Sequence, residues 1–237
     1  CGRIEAQVQA FLSTKGYAGL SERACKYMDE DEFRDWEQKV LLQFPDENKE
    51  TFAREERVEV LLEVKNVQAL TIKVFEFNTE TYYRKNLAPF NTSVDLDGLE
   101  SFLTRRENFA EPKNCKVVRP FVFPELDNRV GLFIIEFLGN GVSARFIVKK
   151  GALSLIHRST EAGHQAFMLD EKRAICKGGD RVGLWLEGKF YPAAAENGAI
   201  FIPYVSHERS LKVIMQNGDF AQLGDFRQRD ERYNLTV

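Results

Sequence analysis

RVGLFIIEFLGNGVSARFIVKKG, Arg129 to Gly151, holds an apolar run, a Gly-Asn-Gly turn and a second apolar run. A phosphate loop would need a helix after Gly141, with its N-terminal NH groups turned to the anion. Instead Val142, Ala144, Phe146 and Val148 alternate with Ser143, Arg145, Ile147 and Lys149, which is the period of a strand. Asn-Gly supplies the positive φ angles of a tight turn, so the stretch reads as a β-hairpin. RVGL returns from Arg181 in RVGLWLEGKFYPAAAENGAIFIPY, where Asn197-Gly198 is the expected turn and AIFIPY the return strand. One hairpin device used in two neighbouring modules is the expectation, with the extra FYPAAAE segment before the second Asn-Gly marking where the copies part.

Outward from this pair the strand texture continues. Val58, Val60, Leu62 and Val64 alternate in VEVLLEV, and after KNVQA come Leu70, Ile72 and Val74, a second hairpin candidate. The large apolar residues then shift parity to Phe75 and Phe77, which means either a bulge or a strand buried on both faces. KVVRPFVF is expected at a sheet edge because Pro120 lacks an NH. Further strands are expected at 152–157, 165–169, 173–176, 181–187, 199–204 and 210–215. Strands this short, separated by Gly, Asn and Asp turns, indicate antiparallel sandwiches or barrels.

The start of the chain has a different period. Ile4, Val8, Phe11 and Leu12 share a helix face, a second helix is expected from Ser21, and a third over DEFRDWEQKVLLQF, capped at Asp31 and stopped by Pro45. DENKETFAREER reads as an exposed helix or linker. In NTSVDLDGLESFLTRRENF, residues 91–109, Leu96, Leu99, Phe102 and Leu103 have helical spacing, so a short helix or a long loop is expected there. The fold class is therefore mainly β: a helical N-terminal segment (1–56), then two consecutive antiparallel β-sandwich modules (57–158 and 159–237).

The 237 residues suffice for self-supporting cores, and a net charge of -3 offers no general attraction to nucleic acid or anionic membrane. The longest apolar run, near Leu132 to Leu138, is too short to span a bilayer, so no membrane insertion is expected. Cys1 in place of an initiator Met suggests a processed product or a piece of a larger chain. CG also suits a lipid-modified start, although the helix that follows argues against one. The four cysteines, Cys1, Cys25, Cys115 and Cys176, show no CxxC spacing. The sequons Asn91-Thr92-Ser93 and Asn234-Leu235-Thr236 lean toward a secreted or cell-surface setting.

Candidate chemistry is sparse. Treating Gly98 in DLDG as the sixth position of a calcium loop puts Ser93 first and Thr104 twelfth, unsuitable ligands both. His157 and His164 bracket RSTEAG without a Cys or carboxylate at zinc spacing, and His207 stands apart. There is no Gly-x-Ser-x-Gly. No catalytic residue, metal or cofactor is expected. Aromatic residues beside cations are the remaining signal: Tyr82, Tyr83 and Arg84, and Trp185 with Phe190 and Tyr191, could line a sugar or peptide surface. Packing within the sandwiches is the plainer use of the same rings.

Gly131 to Glu136, followed by Ala144 to Leu153 (ARFIVKKGAL), resembles the macroglobulin-type β-sandwiches of alpha-2-macroglobulin-like chains. The later hairpin ending in NGAIFIPY is similar to the next module of such chains. The resemblance implies a non-catalytic segment of a larger multidomain protein whose partners are other domains of its own chain or another protein. No Cys-Gly-Glu-Gln thioester is present, so protease trapping is not carried over. Two other readings stand beside it: a carbohydrate- or peptide-binding module on the aromatic residues above, and a metal-assisted hydrolase using His157 and His164.

Overall fold

A computed structural model describes residues 8, 12, 30–112, 115–204 and 209–228. After the helix α1 (Glu30–Gln38), the first half contains β1 (Leu41–Gln43), β2 (Thr51–Phe52), β3 (Glu59–Lys65), β4 (Ala69–Phe77), the helix α2 (Thr79–Asn86), β5 (Leu103–Asn108), β6 (Lys116–Val122), β7 (Gly131–Gly139) and β8 (Val142–Lys150). The second half contains β9 (Ser154–Thr160), β10 (Gly163–Leu169), β11 (Val182–Leu186), β12 (Lys189–Pro192), β13 (Ala199–Ile202), β14 (Arg209–Asn217) and β15 (Phe220–Gln228). The strands form four sheets in the orders β1-β3-β6, β2-β8-β7-β4-β5, β13-β10-β9 and β12-β11-β14-β15. Among the described residues all strand pairs are antiparallel except β2 with β8.

Each half closes two sheets on one apolar core. In the first, Val60, Leu62 and Val64 of β3 meet Leu70, Ile72 and Val74 of β4 and Phe133, Ile135 and Phe137 of β7. In the second, Ala166, Met168, Ile200 and Ile202 meet Leu184, Leu186, Val213, Met215 and Phe226. A third cluster joins the halves and takes the opposite faces of three strands: Phe75 of β4, Leu132 and Ile134 of β7, and Ile214 of β14. The parity shift in β4 is thus a strand buried on both faces. Its register with β7 runs unbroken from Leu70↔Gly139 to Phe77↔Leu132, leaving no room for a bulge.

The Arg129 hairpin forms as expected: Gly139 pairs with Val142, and Asn140 and Gly141 take φ of 47° and 80°. The second copy does not follow it. β11 turns into β12 at Glu187-Gly188, with φ of 49° and 79° and the pair Leu186↔Lys189 closing the turn. Asn197-Gly198 lies on the crossing from β12 to β13, which belong to different sheets. Gly198 is needed there because a Cβ would sit 2.5 Å from Ile175 Cγ2 and 2.7 Å from the Cys176 carbonyl. FYPAAAE is therefore β12 plus a sheet crossing, not an enlarged turn.

Other expectations are corrected too. β3 and β4 form no hairpin, since β3 pairs with β1 and β6 while β4 pairs with β5 and β7. Their inward rows face one core from opposite sheets, and the connector turns at Asn66 (φ 57°) with Val67 tucked beneath it. The helix expected to reach Phe44 stops at Gln38, and Leu42 enters the first core from β1. DENKETFAREER contains β2, held beside β8 by Thr51↔Lys149 and Phe52↔Lys150. Residues 91–109 hold no helix but an irregular loop running into β5, and 173–176 supplies only the bridge Leu169↔Ile175. Pro120 does lie on an edge strand, opposite Leu61. Of the first two expected helices, Val8 and Leu12 are described and helical; the rest of both lies outside the described residues.

Candidate functional site at the junction of the two halves

The candidate site is built on α2. Asn78 caps the helix by accepting a hydrogen bond from the Thr81 NH at 2.8 Å, Glu80 sits in the first turn, and Arg84 and Lys85 sit in the last, an order that suits the helix dipole. Leu87 ends it in the left-handed region, its NH returning to the Tyr83 carbonyl. Cap, dipole and stop thus define a helix in only eight residues, too short for its apolar spacing to betray it.

One side of α2 joins the third cluster. Tyr83 is 6% exposed, and burial, with Tyr82 beside it, pushes its hydroxyl up to about 12. Tyr82 packs edge-on against Phe90 at 4.7 Å. From the second half come Ile214, Ala221, Trp185 and Leu223. The Arg84 guanidinium lies 4.0 Å from the centre of the Trp185 ring, and Phe190 meets the same ring at 5.0 Å. Five of the six aromatic and cationic candidates therefore come together: Tyr82, Tyr83, Arg84, Trp185 and Phe190. Tyr191, one residue on from Phe190, points to the other face of β12 and packs on the second core, with Lys189 over its ring at 5.0 Å.

Polar atoms at this seam are matched across the two halves. The Thr79 hydroxyl, buried, accepts from the Ala221 NH at 2.7 Å and donates to the Asp219 carbonyl at 3.3 Å. Trp185 Nε1 donates to Gln216 Oε1 at 2.7 Å, and Gln216 Nε2 donates to Glu80 Oε2 at 2.8 Å. Glu80 also receives Arg84 at 3.3 Å and Arg181 at 3.6 Å, while Arg181 reaches Asp219 at 2.6 Å. Thr79, Glu80, Gln216 and Arg181 were not singled out from sequence. An Asn cap followed by an acidic residue, Asn78-Thr79-Glu80, is a local signal for the first two alone; Gln216 and Arg181 carry none.

The connector between the halves, Gly151 to Leu153, is held as well. Gly151 (φ 82°) donates its NH to the Phe52 carbonyl at 2.9 Å, and the Leu153 NH donates to Gln222 Oε1 at 2.8 Å. Arg54 NH reaches Glu171 Oε2 at 2.9 Å, and Lys172 reaches Glu55 at 2.7 Å. That contact with Lys172 lowers the Glu55 carboxyl below its ordinary range and raises Lys172 above its own. Cavities of about 320 Å³ (Tyr83, Phe90, Leu132, Lys149, Leu223) and about 440 Å³ (Arg54, Gly151, Glu171, Lys172) flank the connector. Lys149 and Lys212 beside the first are paired with Glu50 and Asp225. Lys150 is fully buried, with Nζ donating to the Glu56 carbonyl, and burial lowers its pKa.

The remaining candidates lie elsewhere. His157 and His164 sit on adjacent strands, and both rings contact Phe226, at 4.8 and 5.4 Å. His164 is wholly buried, its Nδ1 3.5 Å from the Ser159 hydroxyl. His207 lies outside the described residues. Asp95 accepts from the Asp97 NH at 2.9 Å, which makes the DLDG segment a local turn. Among the described residues no group of three or more His, Cys, Asp or Glu is set to hold a metal, and no helix is long and apolar enough to cross a membrane.

Fold and junction together define a mainly β chain of two sheet pairs, each closed on its own core. A family model described as the AbpF first immunoglobulin-like domain matches residues 70–151, from β4 to the connector. The chain is similar to Actin-binding protein F of Dictyostelium discoideum, 29% identical over 204 residues, which is 84% of this chain and 8% of that protein. It thus spans about 8% of the relative's length. Among solved structures, native alpha-2-macroglobulin from Escherichia coli, domains NIE-MG1, gives a TM-score of 0.48 at 11% identity over 80% of this chain and 98% of that one. A chimeric titin Z1Z2 tandem gives 0.36 at 10% identity, covering 81% and 99%. The chain resembles macroglobulin-type β-sandwiches, as its sequence suggested, and the resemblance is weak.

Proposed function

We propose that the chain is a non-catalytic interaction segment of a longer multidomain protein, consisting of two consecutive β-sandwich modules after a helical N-terminal stretch. The observation that carries this reading is the similarity to Actin-binding protein F. It extends over 84% of this chain yet occupies 8% of the relative, as a segment of a long chain would. The immunoglobulin-like match over 70–151 supports the first module, for which the boundaries 57–158 are proposed, with 159–237 for the second. The strands β1 and β2 argue for starting the first module nearer residue 41. β9 argues for starting the second at Ser154.

The name of the relative suggests actin as the partner. Sedimentation of the purified chain with actin filaments tests this directly: saturable co-sedimentation is expected, and a chain left wholly in the supernatant would remove actin from the reading. A glycan or peptide surface on Trp185 and Phe190 is supported less, because Arg84 already lies over the Trp185 ring. Glycan-array binding lost in Trp185→Ala would favour that alternative. Turnover of hydrolase substrates abolished by His164→Ala would overturn the non-catalytic reading altogether.

A further inference from the structure

The two halves can be laid on one another strand by strand through their sheet orders. β8-β7-β4-β5 corresponds to β15-β14-β11-β12, and β1-β3-β6 to β9-β10-β13. In this alignment the connection from β11 to β12 is the two-residue turn Glu187-Gly188. Its counterpart between β4 and β5 is residues 78–102, which carry α2 and the following loop. The first half has expanded a minimal turn into an insertion.

That insertion serves the second half. Its buried apolar residues, Tyr83, Phe90 and Leu96, all belong to the joining cluster and none to the first core. Thr79 bonds β15 and the turn before it, and Glu80, besides its contact with Arg84 on the same helix, accepts from Gln216 of β14 and pairs with Arg181. Two sandwiches joined by a short connector swing against each other by default unless a large apolar contact stops them. Here the connector is flanked by the α2 contact on one side and by the Arg54-Glu171 and Glu55-Lys172 contacts on the other. We infer that α2 is a clamp that turns the two halves into one rigid strut of fixed angle. The fold then gains a mechanical property: surfaces on the two halves are presented to partners at a set spacing. This holds whatever the partner is, so its failure would leave the interaction reading intact, and the converse.

The test measures the distance between the halves. Spin labels go at exposed Glu59 and Glu161, through cysteine substitution in a chain whose Cys1, Cys25, Cys115 and Cys176 are replaced by alanine. One narrow distance is expected for the parent. Ala221→Arg drives a charged side chain into the joining cluster and should replace that distance by a broad distribution. Thr79→Val keeps the shape but removes both hydroxyl bonds, and should broaden it less. Small-angle scattering of the unlabelled chains provides the same reading without the cysteine changes. A broad distribution in the parent, or a narrow one retained in a folded Ala221→Arg chain, overturns the clamp. Should Ala221→Arg fail to fold, Thr79→Val together with Glu80→Ala decides the matter: a distance left unchanged by the pair is incompatible with α2 fixing the angle.

Discussion

β7 and β11 both begin within the tetrapeptide RVGL, yet they occupy different positions. β7 spans nine residues, is buried on both faces and turns back at Asn140-Gly141. β11 spans five, buries Leu184 and Leu186 on one face and shows Trp185 to the junction on the other. By sheet order the counterpart of β7 is β14, which likewise buries Val213 and Met215 in its core and Ile214 and Gln216 toward the other half. β11 corresponds to β4. A shared tetrapeptide thus reports strand and turn chemistry, and the neighbours of a strand decide its role.

The comparison can be broken hardest in the first core. Phe137, fully buried, meets the rings of Phe44, Phe121 and Phe123 at 5.7, 5.3 and 6.5 Å. Phe137→Ala should cost about 3–5 kcal/mol in denaturant unfolding. A smaller loss would mean that β7 is not the central strand of its core. The two RVGL glycines come next. Gly131 has φ of 147°, whereas a Cβ on Gly183 would lie 2.3 Å from the Tyr191 carbonyl. Gly183→Ala should therefore cost about 1–3 kcal/mol by forcing β12 away, visible as lost hydrogen-exchange protection confined to β11 and β12.

Gln216, 3% exposed, tests the likeness between β14 and β7. Gln216→Ala strands Trp185 Nε1 and one bond to Glu80, with an expected loss of about 1–3 kcal/mol and altered Trp fluorescence. At the turns, Asn140→Glu copies Glu187 into the first hairpin and removes the bond from Asn140 Nδ2 to the Asn66 carbonyl at 2.7 Å. A cost of about 1–2 kcal/mol follows from placing an ordinary side chain in the left-handed region. An unchanged Tm would mean that the two turns are equally tolerant.

The smallest effect is the exposed contact of Glu55 with Lys172. Glu55 is lowered from 4.5 and Lys172 raised from 10.5, so the stabilising contribution is full between those values. It is lost as pH falls through the depressed Glu55 value or rises through the elevated Lys172 value. Parent and Lys172→Gln should differ slightly in Tm at neutral pH and converge at both extremes. A gap that persists below the Glu55 transition would point to a role other than charge pairing.

Much of the fold was legible in residue order. Alternation in Val142 to Lys149, the Asn140-Gly141 turn and Pro120 each reflect backbone requirements met within a few residues. α2 escaped notice because its eight residues carry caps and charges but little periodicity, and the 91–109 spacing imitated a helix where Leu96 merely plugs a cluster. Of the rings and cations singled out in the sequence, Tyr82, Tyr83, Arg84, Trp185 and Phe190 meet at the junction, and Tyr191 does not. Among their polar partners, Thr79 and Glu80 carry only a helix-cap signal and Gln216 none, because a polar residue's cross-junction role depends on what is laid across it.

By itself the sequence determined a mainly β chain, the period of many strands, the Asn140-Gly141 turn, and a cation beside aromatic residues. Only the tertiary structure decided which strands share a sheet, that Val60 and Leu70 face each other across a core, and that Arg84 meets Trp185. The reason lies in range. Strand period and turn angles are settled by neighbouring residues, whereas sheet partners and cross-junction contacts join residues a hundred positions apart through burial of the surfaces between them.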